Sequence, residues 1–223
     1  MTERKVIIPG EVIVHGKDYL PGEWTEKRND DIVALRFGLS EESNKLVRII
    51  PVSGPYQPRR GNAVIGEVVN VLSNGWFIDI DTPESAFLSL SEVPGYVNKG
   101  ELAEVLDIGS MVVSKIANIN KRGIDLTIRA NGLGEIEDGI IIKVNSNKVP
   151  RVIGKEGSMI NLIKEHTKCD ITVGQNGVIW ISGESTEAEL FAKKAIMFII
   201  DNFFMEGLTE EMEKWFSKEE KGK

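Results

Sequence analysis

The sequence predicts a multidomain protein of mixed β and α+β class, and three observations carry that expectation. Residues 5–58 contain short β-type runs broken by Pro, Gly and Asn. Residues 63–129 contain five strand-like runs, and after Gly134 the apolar spacing turns helical. At 223 residues the chain exceeds a typical domain of roughly 100–150 residues, so two or three small folded units are expected. Its 41% hydrophobic and 27% charged content is that of ordinary globular protein, which excludes disordered and fibrous classes.

In the first unit, assigned to residues 1–60, the β-type runs are 6–8, 12–14, 31–37 and 45–50. The stretch SGPYQPRRGN, residues 53–62, gathers Pro and Gly with Arg59 and Arg60 and marks a junction. The second unit, 61–131, has runs at 63–72, 76–80, 86–90, 111–119 and 124–129. Five such runs suit a small barrel of the OB type, with hairpin turns at Ser73-Asn74-Gly75 and Lys121-Arg122-Gly123. The third unit, 132–206, reads as strand 139–144, two helical stretches, strands 171–173 and 178–181, and a long helix. That helix repeats Ala188, Phe191, Ala192, Ala195, Ile196, Ile199 and Phe203 at helical spacing, with Thr186 and Glu189 as a capping-box signature. Residues 207–223 are expected to hold a short helix near 209–216 and a solvated acidic tail.

The net charge of −7 argues against indiscriminate attraction to polyanions, so any nucleic-acid contact must rest on local charge. One window provides it. From 143 to 168 there are six basic residues (Lys143, Lys148, Arg151, Lys155, Lys164, Lys168) and two acidic ones (Glu156, Glu165), a local excess of four positive charges. The longest apolar run, 195–200, is far short of the roughly 20 residues that span a membrane. The opening MTERKVIIPG has no signal-peptide apolar region, so no membrane association and a cytoplasmic location are expected. The single cysteine, Cys169, fits a reducing compartment.

Within the basic window, Gly154-Lys155-Glu156-Gly157 followed by Ser158 reads as a GxxG turn between two helices. Glycines at such a corner let backbone N–H groups at a helix start approach phosphate, and Lys155 adds charge. With its order of elements, this third unit resembles a eukaryotic-type KH domain, whose GxxG loop clamps nucleic-acid backbone. The resemblance makes Gly154, Lys155, Gly157 and Ser158, with Arg151 and Lys148 beside them, the expected RNA contacts. Glu156 departs from the doubly basic loops of many KH domains. Replacing Gly154 and Gly157 together by Asp is expected to lower RNA affinity without unfolding the domain.

The middle unit resembles the RNA-binding OB domain named after ribosomal protein S-one. Gly66-Glu67-Val68-Val69, the run 74–80 and the run 86–92 carry the likeness. Trp76, Phe77 and Phe87 are its available rings, and Trp76 and Phe87, with Lys115, Lys121 and Arg122, are taken as RNA contacts. Alternation puts Trp76 and Phe77 on opposite faces, and Ser89 stands where that family often has histidine.

Catalytic machinery is not expected. His15, His166 and Cys169 are the near-neutral titrating side chains, and no third group orients His166 and Cys169 into a dyad. Asp79 and Asp81 are too few for a two-metal site, and no phosphate-loop motif or zinc spacing appears, so no cofactor is expected.

The order of units, with Pro9-Gly10-Glu11 in the first and Pro55-Tyr56-Gln57-Pro58 at the junction, resembles the Rrp-four family of archaeal exosome subunits over nearly the full length. The resemblance implies a non-catalytic RNA-binding adaptor. Three copies, or a mixture with the Csl-four-type cap subunit, would sit on a hexameric phosphorolytic ring and promote 3′-to-5′ RNA degradation, the N-terminal unit docking on the ring. A free-standing RNA chaperone or translation-linked RNA-binding protein is the alternative, and a metal-dependent nuclease ranks below both.

Overall fold

The structure, a computed structural model, describes residues 4–95 and 102–221. The chain divides into two compact units, Met1–Gly54 and Pro55–Lys223. The first contains β1 (Lys5–Ile7), β2 (Val12–His15), β3 (Leu20–Pro21), β4 (Thr25–Arg28), β5 (Asp31–Ala34), β6 (Gly38–Ser43) and β7 (Leu46–Pro51). These form a sheet of order β1-β6-β7-β3 and another of order β2-β5-β4, around a core of Ile7, Ala34 and Ile49 with Ile13 and Trp24 against it. Strands β4 (TEKR) and β6 (GLSEES) escape the hydrophobic pattern because they are polar. Each is recruited by its hairpin partner. Asn44 and Lys45, both at positive φ, form the tight turn that folds β6 onto β7.

The second unit begins with a barrel built from β8 (Ala63–Leu72), β9 (Gly75–Asp79), β10 (Ala86–Ser89), α1 (Leu102–Val105), β11 (Met111–Asn120), β12 (Gly123–Thr127) and β13 (Gly134–Ile136). Antiparallel pairs β8–β9, β9–β10, β11–β12 and β8–β11 are closed by a parallel pair, β10–β12, giving the five-stranded ring expected of the OB class. Strand β13 adds to the edge of β11. Alternate residues fill the interior, among them Val64, Val68, Ile78, Leu88, Val112, Ile116, Ile124 and Leu126. Leu102 and Leu106, at and just after α1, belong to the same core.

The remaining elements are β14 (Ile140–Lys143), α2 (Val149–Ile153), α3 (Ser158–Thr167), β15 (Asp170–Val173), β16 (Val178–Ser182), α4 (Thr186–Asp201) and α5 (Leu208–Lys221). The sheet is antiparallel, of order β14-β16-β15. The order strand, helix, helix, strand, strand, helix is the expected one. Two local readings change. The N-cap of α4 is Ser185, whose side chain accepts from the Ala188 amide, and Glu189 accepts instead from the Gly183 amide, so the Thr186–Glu189 box does not form. Helix α5 is longer than expected and is not simply a solvated tail. Leu208, Met212 and Phe216, at i, i+4 and i+8, are fully buried in the core of α3, α4 and the sheet. The expected tail ends in residues 222–223, which lie outside the described residues.

A buried side chain, a backbone hydrogen bond and an apolar cluster join the barrel to the α+β domain. Below Glu67, β8 has no β9 residue opposite it, which leaves the ladder open at Ile65. The β15–β16 turn fills the gap: Asn176, 4% exposed, accepts from the Ile65 amide at 3.3 Å and donates to the Ile65 and Ile80 carbonyls at 2.8 and 3.2 Å. The Gln175 amide donates to the Ala63 carbonyl at 2.7 Å. Ile65, Val113 and Val178 close an apolar cluster across the same joint.

The junction motif is also clipped to the barrel. Asn62 Oδ1 accepts from the Tyr56 hydroxyl at 2.8 Å and the Arg59 amide at 3.2 Å, and the Gly61 amide donates to the Ile116 carbonyl. Burial pushes the Tyr56 phenol up to about 12. Because the folded state holds this proton more tightly than the unfolded chain, whose phenol titrates near 10, stability is unaffected below pH 10 and falls between about pH 10 and 12. In a tyrosinate absorbance titration, one of the three tyrosines is expected to ionise late, and Tyr56→Phe should remove that late phase.

Candidate nucleic-acid interface

The corner between α2 and α3 has the geometry expected of a GxxG turn. Gly154 has φ 75° and ψ 176°, a region essentially restricted to glycine, and Gly157 has φ 82° and ψ 8°. The two glycines differ in kind. A Cβ on Gly154 would lie 2.7 Å from the Cβ and the amide nitrogen of Met159, so this glycine is required by packing as well as by torsion. A Cβ on Gly157 would find Asn161 Nδ2 at 3.6 Å, which is ordinary contact, so Gly157 is constrained by its left-handed torsion alone. The expectation that Asp at both positions leaves the fold intact is therefore corrected: only Gly157 admits the change without a clash.

No side chain caps the start of α3, whose N-cap is Gly157. The Ser158 amide donates to the Lys155 carbonyl, and the positive pole of this ten-residue helix lies at a corner where Lys155, Glu156 and Ser158 are exposed. Glu156 adopts a left-handed conformation (φ 54°, ψ 26°) between the glycines, and its carboxylate is the one acidic group within the turn. An anion at this corner would meet backbone amides, the Ser158 hydroxyl and the Lys155 ammonium.

Lys148 and Arg151 are placed differently from a free cationic patch. Lys148 Nζ donates to the Ile200 carbonyl at 3.0 Å, and Arg151 Nη2 donates to the Met205 carbonyl. Lys148 ties the start of α2 to the C-terminal end of α4, where a helix presents its negative pole, and Arg151 ties α2 to the segment that follows α4.

On the barrel, one assigned contact is overturned. Trp76 is 0% exposed and its indole N–H donates to the Leu106 carbonyl at 2.9 Å, so it is core and has no face to offer a base. Phe77, one of the three rings available in the sequence, lies on the other face. It stands directly opposite Phe87 across β9 and β10, both half-buried, with ring centres 5.4 Å apart and planes at 60°. The signal was present in the alternation, since Ile78 and Ile80 share the Trp76 face and Asp79 shares that of Phe77. The outer row continues from Phe87 to Asp125 and Asn118 on the adjoining strands.

Lys121 and Arg122 are exposed in the β11–β12 turn, where Asn120 braces the backbone by accepting from the Arg122 amide and donating to Asp125. Lys115 is exposed six residues before Lys121 along the strand, roughly 20 Å away at the rise of a β-strand. The barrel cations are therefore spread out rather than convergent. Arg129 is held by the Ser91 carbonyl and Glu92, and Ser89 caps the short turn after β10.

The residues weighed for catalysis are engaged structurally. His166 stacks on Phe216 with centres 4.2 Å apart, and Cys169 donates from Sγ to the Thr167 carbonyl while burial pushes its thiol pKa up. Asp79 accepts from the Asp81 amide. Among the described residues no group of three or more His, Cys, Asp or Glu is placed to hold a metal ion, and no helix is long and apolar enough to cross a membrane.

These features define a class of protein in which an OB-type barrel and a KH domain share one compact unit and a separate β-rich unit precedes them. A family model described as the KH domain matches residues 139–187. The exosome complex component Rrp4 of Methanothermobacter thermautotrophicus is 38% identical over 94% of this chain and 67% of its own length. That of Picrophilus torridus is 36% identical over 98% of this chain and 94% of its own. A crystal structure described as an exosome complex RNA-binding protein aligns with a TM-score of 0.68 at 32% identity, covering 75% of this chain and 98% of the other. The chain belongs to the Rrp4 family of exosome complex components.

Proposed function

We propose that this chain is a non-catalytic RNA-binding cap subunit of an exosome. It sits on a hexameric phosphorolytic ring, as three copies or mixed with a Csl-four-type subunit, and raises the efficiency of 3′-to-5′ RNA degradation in the cytoplasm. The observation that carries this reading is the uncapped α3 start at Gly154–Gly157 within the same compact unit as the Phe77–Phe87 face. One RNA strand can then be held by phosphate contacts at the corner and by stacking on the barrel. The N-terminal unit, residues 1–60, is the ring-docking element in this reading. Its exposed apolar side chains Ile8, Leu20 and Leu46 supply surface for such a contact.

Weak binding by each copy suffices, because three copies around one channel raise the effective concentration of contacts even on an acidic protein. Reconstitution tests the proposal. Adding the purified chain to the phosphorolytic hexamer is expected to give a larger complex by size measurement and faster decay of single-stranded RNA. A chain that neither associates with the hexamer nor accelerates it refutes the cap role, and association with ribosomes in lysate instead would favour the translation-linked alternative.

A further inference from the structure

Outside the GxxG corner and the barrel face, the turn between α4 and α5 exposes a second aromatic feature. Phe204 is 51% exposed and Met205, its neighbour in the chain, 38%. The turn is braced: the Asn202 amide and side-chain Nδ2 both donate to the Phe198 carbonyl, and the Met205 amide donates to the Asn202 carbonyl. Phe203 and Phe204 meet edge to face, with centres 5.3 Å apart and planes at 88°, so the exposed ring is supported from behind by the half-buried one.

The cations of α2 converge on this turn. Lys148 Nζ lies 6.0 Å from the centre of the Phe203 ring while donating to the Ile200 carbonyl, and Arg151 donates to the Met205 carbonyl. We infer that Phe204, supported by Phe203 with Lys148 over that ring and Arg151 on the adjoining Met205 carbonyl, is a stacking platform for one unpaired base of bound RNA. It would extend the strand's path along α2 from the Gly154–Gly157 corner. A single-stranded nucleotide brings what the place fits, a flat π face for the ring and a phosphate for the fixed positive charge. Asp201 and Glu206 are exposed before and after the turn in the chain and equal the two cations in formal charge, so the ring contact rather than net charge carries the binding. The inference rests on the reading of this chain as an RNA-binding protein.

The test uses the full chain and a labelled single-stranded oligoadenylate of about ten nucleotides, followed by fluorescence anisotropy. Phe204→Leu and Phe204→Ala are expected to weaken binding about five- to tenfold, the low end for loss of one stacked base, and Phe204→Tyr should retain wild-type affinity. Ultraviolet irradiation should crosslink RNA to the peptide containing Phe204. The exposed position leaves the fold intact, which a thermal melt of each variant verifies. Wild-type affinity in Phe204→Leu overturns the inference while leaving the RNA-binding reading standing, provided Gly157→Asp still weakens binding in the same assay. Loss of ring association in Phe204→Leu with unchanged RNA affinity overturns it as well and assigns the surface to a protein. Absence of RNA binding by the wild-type chain defeats the underlying reading itself.

Discussion

Replacing Asn176 by aspartate is expected to lower the melting temperature on the order of 10 °C and to loosen the barrel from the KH domain. The amide meets complementary demands: Ile65 N–H needs an acceptor, whereas the Ile65 and Ile80 carbonyls need donors. Aspartate keeps the shape but turns both donations into contacts between a carboxylate and carbonyl oxygens, in a place that is 4% exposed. Alanine removes the three contacts and leaves buried backbone groups unpaired, at about 1–3 kcal/mol for each group that water does not reach. Aspartate should therefore be the worse of the two, with alanine costing about 3 kcal/mol in denaturant unfolding. Hydrogen exchange adds a local readout, because the Ile65 amide should lose protection in Asn176→Ala, which removes its acceptor, more directly than in Asn176→Asp, which keeps one. Wild-type stability in Asn176→Asp would show that the turn does not hold the joint.

Gly157→Asp is expected to weaken RNA binding by about tenfold or more while leaving the domain folded. The left-handed torsion costs a non-glycine residue about 1–2 kcal/mol, and aspartate is among the residues that tolerate it best. The new carboxylate stands at the N-cap of α3, where a phosphate would approach. Like charges about 4 Å apart repel by roughly 1 kcal/mol in bulk water and more near a protein surface. The difference from wild type should shrink as salt is added, since the repulsion is screened. Anisotropy titrations at two salt concentrations measure it. Equal affinity of variant and wild type at low salt would exclude phosphate contact at the corner. Gly154→Asp is the contrasting case: its Cβ has no room beside Met159, so that variant should lose stability as well as affinity.

Much of the architecture was legible before any coordinates. Strand β8 runs over 63–72 as read, and the order of elements after Gly134 is that of the sequence pattern, because period-2 and period-3.6 apolar spacing are local properties. The polar strands β4 and β6 were not legible, since their pairing is imposed by a neighbouring strand and a turn rather than by apolar residues. The apolar face of α5 was legible only in part. Its three buried residues sit among acidic ones, so that composition suggested a tail where packing makes a core element.

At the site, the GxxG corner could be read directly, for glycine at two such positions is a statement about backbone torsion. By itself the sequence determined the order of the units, the barrel's strands, the corner and the local excess of positive charge, all set by residues near one another in the chain. Only the tertiary structure decided that Lys148 binds the end of α4 and Arg151 the turn that follows it. It alone placed Asn176 in the open seam of β8. Each of these joins groups tens of residues apart, and a side chain's role there depends on which backbone donors and acceptors the closed fold leaves unpaired.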